Sequence, residues 1–267
     1  MGEPGTLVVV RPWYLERPPA PPLAGELACT WTADVGGEPR DLIPDACIDL
    51  LWVGDGSLVL CGPETAGWTF ALPPSTTAVG VRFRPGVAPG VLGLDASELL
   101  NRRVRLEQLW GDRTVRRLRG RIDDAATADA RVAVLQDVVG RRIVDAAPVD
   151  PVAAEVAEVA AATAGRSSVT TLAAIVGLSE RQLLRRCSAA FGYGPAVLAR
   201  ILRIQRFLAL ARRHGSAAGL AQLALAAGYA DQPHLSREVR AIAGTTPAAI
   251  VSDPFKTPAP TGATITA

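Results

Sequence analysis

The chain has 267 residues, 49% hydrophobic and 20% charged, with a formal net charge of +2, which suits a soluble globular protein of two ordinary domains. No run reaches the roughly eighteen apolar residues of a membrane span, and the short apolar segment Leu7–Val10 lacks the flanks of a signal peptide, so the cytoplasm is the expected location. The four cysteines, at 29, 47, 61 and 187, form no C-x-x-C pair, which argues against a disulfide framework or zinc ribbon and for reduced, buried thiols.

Residues 1–110 carry all five tryptophans and read as β-rich. Ile48–Val53 and Ser57–Leu60, separated by Gly54-Asp55-Gly56, spell strand, tight turn, strand. Ala78–Phe83 reads as a further strand, ended by Pro85-Gly86. From about 95 the period lengthens. Ser97–Leu100 and Val104–Leu109 read as short helices, and Arg113–Ile122 and Ala128–Val144 as longer ones. In the last of these, Val132, Leu135, Val139 and Ile143 recur every three or four residues. Pro148-Val149-Asp150-Pro151 is the expected linker.

Beyond it the sequence reads as helical nearly throughout. Residues 152–164 form a helix closed by Gly165. Thr170–Val176 form a short apolar helix ended by Gly177, and Ser179 stands as N-cap before Glu180–Arg186. Short helix, glycine turn and capped basic helix is the layout of a helix-turn-helix. It recurs: Leu220–Ala227, Gly228, then Asp231 as N-cap with Pro233 in the first turn. Leu183 and Cys187 share one face of the first basic helix, Leu235 and Val239 one face of the second, and Leu183 precedes Leu235 by 52 positions. A helix over about 196–213 joins the units. Charge supports a polyanionic partner for this half: residues 166–250 hold 11 Arg against 3 acids, whereas residues 1–165 hold 16 Arg against 22 acids. Beyond Asp253, Pro, Thr, Ala and Gly dominate, and 254–267 reads as a disordered tail.

These motifs resemble, in order and spacing, the AraC/XylS family of DNA-binding regulators. The segments are Leu172-Ala173, Gly177-Leu178-Ser179-x-Arg181-x-Leu183-x-Arg185, Leu202-Arg203-Ile204-Gln205-Arg206, Gly228–Arg237 and Gly244-Thr245-Thr246-Pro247. The resemblance implies an α+β multidomain protein: a small β-rich, cupin-like N-terminal domain with trailing helices, then an all-α domain of two helix-turn-helix units joined by a linker helix. The divisions are 1–147 (β-rich to 110, helical from 111), 152–253, and the tail. It places base-facing positions at Arg181, Leu184, Arg185, Gln232, Pro233, His234 and Arg237. Double-stranded DNA is the implied partner, with RNA polymerase, a small-molecule effector and a second copy of the chain as further expected partners, and no membrane. Phe is usual in the family where this chain has Cys187 and Val239.

Leu42–Asp49, Cys61-Gly62-Pro63, Gly80–Gly86 and Arg105–Gly111 resemble the poorly characterised domain that precedes this module in many such regulators. No catalytic site, cofactor or metal is expected. Both histidines, His214 and His234, lie in the other half, so a histidine metal site or a histidine-assisted nucleophile has no residues here. Asp45, Asp49, Arg82 and Arg84 lie in strand-like apolar runs. They would line an effector pocket walled by Trp52 and other tryptophans, or form a structural pair such as Asp49 with Arg82. The alternative to a DNA-binding regulator is a small-molecule or thiol-based sensor, acting through Cys47 or Cys61, whose helical half binds proteins.

Overall fold

The structure is a computed structural model and describes residues 13–34, 39–71 and 73–252. The expectations for Leu7–Val10 and for a disordered tail over 254–267 fall outside the described residues.

The N-terminal half is built on an antiparallel sheet. Its strands are β1 (Tyr14–Arg17), β2 (Leu27–Asp34), β4 (Asp49–Val53), β5 (Leu58–Cys61), β7 (Thr77–Phe83) and β8 (Arg103–Arg105), in the order β1-β2-β7-β4-β5-β8. Strands β3 (Arg40–Leu42) and β6 (Trp68–Phe70) form a separate two-stranded ladder. The expected hairpin is β4–β5: the Asp55 side chain accepts from the Ser57 N–H, and Gly56 takes a φ of +85° that a side chain would resist. Alternation sorts the side chains. Leu50, Trp52, Leu58, Leu60, Val79, Val81 and Phe83 fill the larger core, whereas Leu51, Val53, Cys29, Trp31 and Ala78 fill a smaller one on the opposite face.

The larger core is covered by α1 (Ala88–Leu92), a 3₁₀ turn over Ala96–Leu99, α2 (Glu107–Trp110), α3 (Asp112–Asp123) and α4 (Ala128–Val144). Val132, Leu135 and Val139 are buried, as the spacing predicts, and Ile143 packs at the margin. Val104–Leu109 is not one helix. Arg103-Val104-Arg105 alternates exposed, buried, exposed and pairs with β5, so Val104 belongs to a strand and the helix starts only at Glu107. Ser97–Leu100 is similarly a 3₁₀ turn over Ala96–Leu99, closed by an Asp95–Glu98 capping box.

The C-terminal half comprises α5 (Pro151–Ala162), α6 (Val169–Ile175), α7 (Glu180–Phe191), α8 (Pro195–His214), α9 (Leu220–Ala227), α10 (Gln232–Ala243) and α11 (Pro247–Ser252). Two cores divide it. Leu172, Leu183, Cys187, Leu198 and Ile201 belong to one; Ile204, Phe207, Leu223, Leu235 and Val239 belong to the other. The long α8 contributes to both. Cys187 and Val239 are fully buried despite being smaller than the expected Phe. Among the described residues no helix is long and apolar enough to cross a membrane.

The halves meet at the 42–48 segment. Ile43 enters the core of the second helix-turn-helix and Ala46 that of the first. Gln205 Nε2 on α8 donates to the Pro44 carbonyl at 2.6 Å, and the Gly67 N–H donates to the Ile242 carbonyl.

Candidate nucleic-acid interface

Each helix-turn-helix is set by local chemistry. Ser168 caps α6 by accepting from the Thr171 N–H. Gly177 takes a φ of +66°, the chain turns, and Ser179 with Gln182 forms a capping box at the start of α7. Thr170 donates to Glu180, tying the two helices together across the turn. In the second unit Gly228 has a φ of +94°, and Asp231 accepts from the His234 N–H at 2.6 Å. Pro233 lies within the first turn of α10.

Burial of Leu183 and Cys187, and of Leu235, Val239 and Ile242, fixes the rotation of α7 and α10. The opposite faces are presented to solvent. Arg181, Leu184 and Arg185 on α7 are exposed, as are Gln232, Pro233 and Arg237 on α10. Arg185 and Arg237 hold equivalent places, each two residues after the buried leucine of its helix. Arg181, Arg185, Arg237 and Arg240, the last on the same helix but outside the base-facing set that the resemblance implies, take part in none of the ion pairs among the described residues. Four unneutralised guanidiniums on two capped helices can bond phosphate or the O6 and N7 edge of guanine.

His234 differs from the rest of the expected set. Its ring is half-buried, sits edge-on to Tyr229 at 5.2 Å, and accepts from the Ala230 N–H through Nδ1 at 3.4 Å. Its Nε2 lies 3.8 Å from Glu238. The imidazole therefore braces the turn.

Arg200, Arg203 and Arg206 of α8 bond within the protein. Arg200 and Arg203 hold the buried Glu238, Arg203 also donates to the Gly165 carbonyl, and Arg206 donates to the Ala226 carbonyl. Arg186 pairs with Asp150, which also caps α5 through the Val152 N–H. Glu238 itself was not singled out from the sequence. Its spacing of three from Leu235 was the available signal, since that places it on the buried face.

In the N-terminal half, Asp49 and Arg82 meet across β4 and β7, with Arg82 Nε 3.0 Å from Asp49 Oδ1. The same guanidinium lies 3.2 Å from both Glu16 and Asp45. Burial pushes the Asp49 carboxyl up against the opposing pull of Arg82. Asp49 and Arg82 border two small adjoining cavities of about 40 and 50 Å³, and Asp45 borders the second. Trp52 and Arg84 do not. Trp52 follows Asp49 by three residues and so points to the other face of the sheet, where Arg131 lies over its ring at 4.6 Å. Arg84 lies beyond β7 and donates to the Ala24 carbonyl. The aromatic walls are instead Trp13, Tyr14, Trp31, Trp68 and Phe70. Burial pushes the Cys47 thiol well up and that of Cys61 up to about 12, so neither offers a thiolate near neutral pH.

Residues 172–252 match the helix-turn-helix domain family, and residues 15–105 match a family described as a domain of unknown function (DUF6597). Residues 172–252 thus carry a helix-turn-helix domain of the AraC type, a DNA-binding module. No curated protein matches its sequence. Among solved structures, ToxT from Vibrio cholerae is similar at 10% identity, covering 83% of this chain and 96% of that chain, with a TM-score of 0.45. ToxT bound to (E)-4-(8-methylnaphthalen-1-yl)but-3-enoic acid gives 9% identity, 83% and 96% coverage, and a TM-score of 0.48. ToxT bound to an unsaturated fatty acid gives 12%, 80%, 93% and 0.44. The AraC-type module is the part of the chain that carries the exposed arginines of α7 and α10.

Proposed function

We propose that the regulator reads duplex DNA sequence with Arg181, Arg185, Gln232 and Arg237, with Leu184 and Pro233 adding apolar contact, and that a small effector in the N-terminal half adjusts this binding. The equivalent, exposed and unneutralised positions of Arg185 and Arg237 carry the reading. α8 has 20 residues, so it spans about 30 Å at roughly 1.5 Å per residue. That approaches the roughly 34 Å of one turn of B-DNA, which suits two units entering successive major-groove segments. The same reading places the protein in the cytoplasm, with RNA polymerase and a second copy of the chain as further partners to test. His234 is left to a bracing role.

Selection of bound fragments from a random duplex pool, followed by footprinting, tests this. Arg185→Ala and Arg237→Ala should each lose about 1–3 kcal/mol of base discrimination within their own half of the site. Wild-type affinity should fall steeply with salt, as released counterions require. Unchanged affinity and preference in both variants would overturn the assignment.

A further inference from the structure

The two adjoining cavities beside Arg82 differ in character and share one wall. The first is walled by aromatic rings, among them Trp13, Trp31 and Trp68. Asp45, Asp49 and Glu64 face the second, against Arg82 as the one basic residue among its lining groups. Leu42, Asp49, Cys61, Trp68 and Arg82 border both. We propose that together they form a binding site for a small organic ammonium ion.

Charge disfavours an anion, which would meet Asp45 and Asp49 beside a Glu64 already paired with Arg103, while the Arg82 guanidinium is shared among Glu16, Asp45 and Asp49. A neutral apolar group would fill the aromatic part and gain nothing from the acids. An ammonium ion gains from both, because indole faces are negative and carboxylates complement them. The rings already show this preference: Arg103 stacks over Trp68 at 3.7 Å while pairing with Glu64 at 2.8 Å, and Arg40 lies over Trp13 at 5.4 Å. The box is also preorganised. The Trp31 indole N–H donates to Asp49 Oδ1 at 3.1 Å, and its ring lies across Gly80, where a Cβ would come within 2.4 Å of it. Size fits a small ion: a water-sized group takes about 10–15 Å³ on this measure, so each cavity takes a few heavy atoms before any side chain moves.

The wall over Leu42–Cys47 is the segment whose far side packs into both helix-turn-helix cores. An occupant therefore presses on a segment that touches both DNA-binding units. Occupancy stands apart from the effector reading above; only its consequence for DNA rests on that reading.

The test titrates the full chain with tetramethylammonium and with choline at constant ionic strength, reading tryptophan fluorescence and melting temperature. Saturable responses are expected, with binding at least tenfold weaker for 3,3-dimethylbutan-1-ol, the uncharged analogue of choline, and none for pivalate. At pH 8, where the Glu64 carboxyl is ionised, Glu64→Gln should weaken binding about tenfold, and Trp68→Leu, at a half-buried position, should abolish it while circular dichroism stays native. No saturable response to either cation, or equal binding of the alcohol, would overturn the site. DNA affinity with and without saturating tetramethylammonium separates the two readings: binding that leaves DNA affinity unchanged overturns the effector reading and leaves the site standing.

Discussion

Arg200 of the linker helix and Glu238 of the second recognition helix are joined side chain to side chain, Nε to Oε1, at 2.8 Å. Arg203 reaches the second carboxylate oxygen at 3.1 Å. Glu238 is 6% exposed, so its charge is tolerated only because these two guanidiniums neutralise it. The pairing holds α10 at a fixed angle to α8, and with it the face that carries Arg237.

Removing Glu238 leaves Arg203, itself nearly buried, beside no carboxylate. Glu238→Ala should therefore destabilise by about 3–5 kcal/mol, the usual cost of breaking one side of a buried pair. Arg200→Ala should cost much less, because the Arg200 side chain is half in solvent. Urea unfolding of both variants checks the order. Equal, small losses would show that the network does not hold the helix.

The hydrogen bond from Gln205 Nε2 to the Pro44 carbonyl predicts a separable effect on the domain junction. Gln205→Ala should lose about 1 kcal/mol, the net worth of an ordinary hydrogen bond. The informative readout is hydrogen exchange over 42–48, which should rise while the strands of the main sheet stay protected. Unaltered exchange there would mean that Ile43 and Ala46 alone hold the segment.

Both helix-turn-helix units were legible in the sequence because their determinants are local. Gly177 and Gly228 mark the turns, Ser179 and Asp231 cap the helices, and the Leu183–Cys187 and Leu235–Val239 spacing gives the buried face. The β4–β5 hairpin and α4 were legible for the same reason. Trp52 misled because charge and aromaticity were read along a strand without applying its period of two. The Glu238 network joins residues 35 and 38 apart, and the Gln205–Pro44 bond spans 161 positions. Nothing in local pattern specifies such pairs. The ladder of β3 with β6, which walls the aromatic cavity with Trp68 and Phe70, is equally non-local.

Glu64 predicts a pH dependence. Burial pushes its carboxyl up to about 7, against the opposing pull of Arg103, with Asp45 adding to the rise. Because the folded value exceeds the unfolded one near 4.5, the native state binds more protons between them. The stability that Glu64 contributes is thus present below about 4.5 and is lost as pH rises through about 7. Glu64→Gln, which stays neutral, should show a melting temperature that gains on wild type across that window and levels off above it. A constant difference from pH 4.5 to 8 would place the titration elsewhere.

Arg82 is the strictest test of the N-terminal half. It stands among Glu16, Asp45 and Asp49 with 8% of its surface exposed. Arg82→Met keeps much of the volume and removes the charge, leaving the three carboxylates facing one another in a desolvated place. At pH 7 the loss should be about 3–5 kcal/mol. Mutual repulsion then raises the carboxyl values in the folded state above their unfolded ones, so the variant binds extra protons on folding. Its deficit should therefore shrink as pH falls from 7 toward 4, where the carboxyls protonate. Adding Asp45→Asn to Arg82→Met should recover part of the loss at pH 7 by removing one of the repelling charges. A deficit that stays the same at both ends of the pH range, and that Asp45→Asn leaves untouched, would mean that Arg82 acts through packing alone.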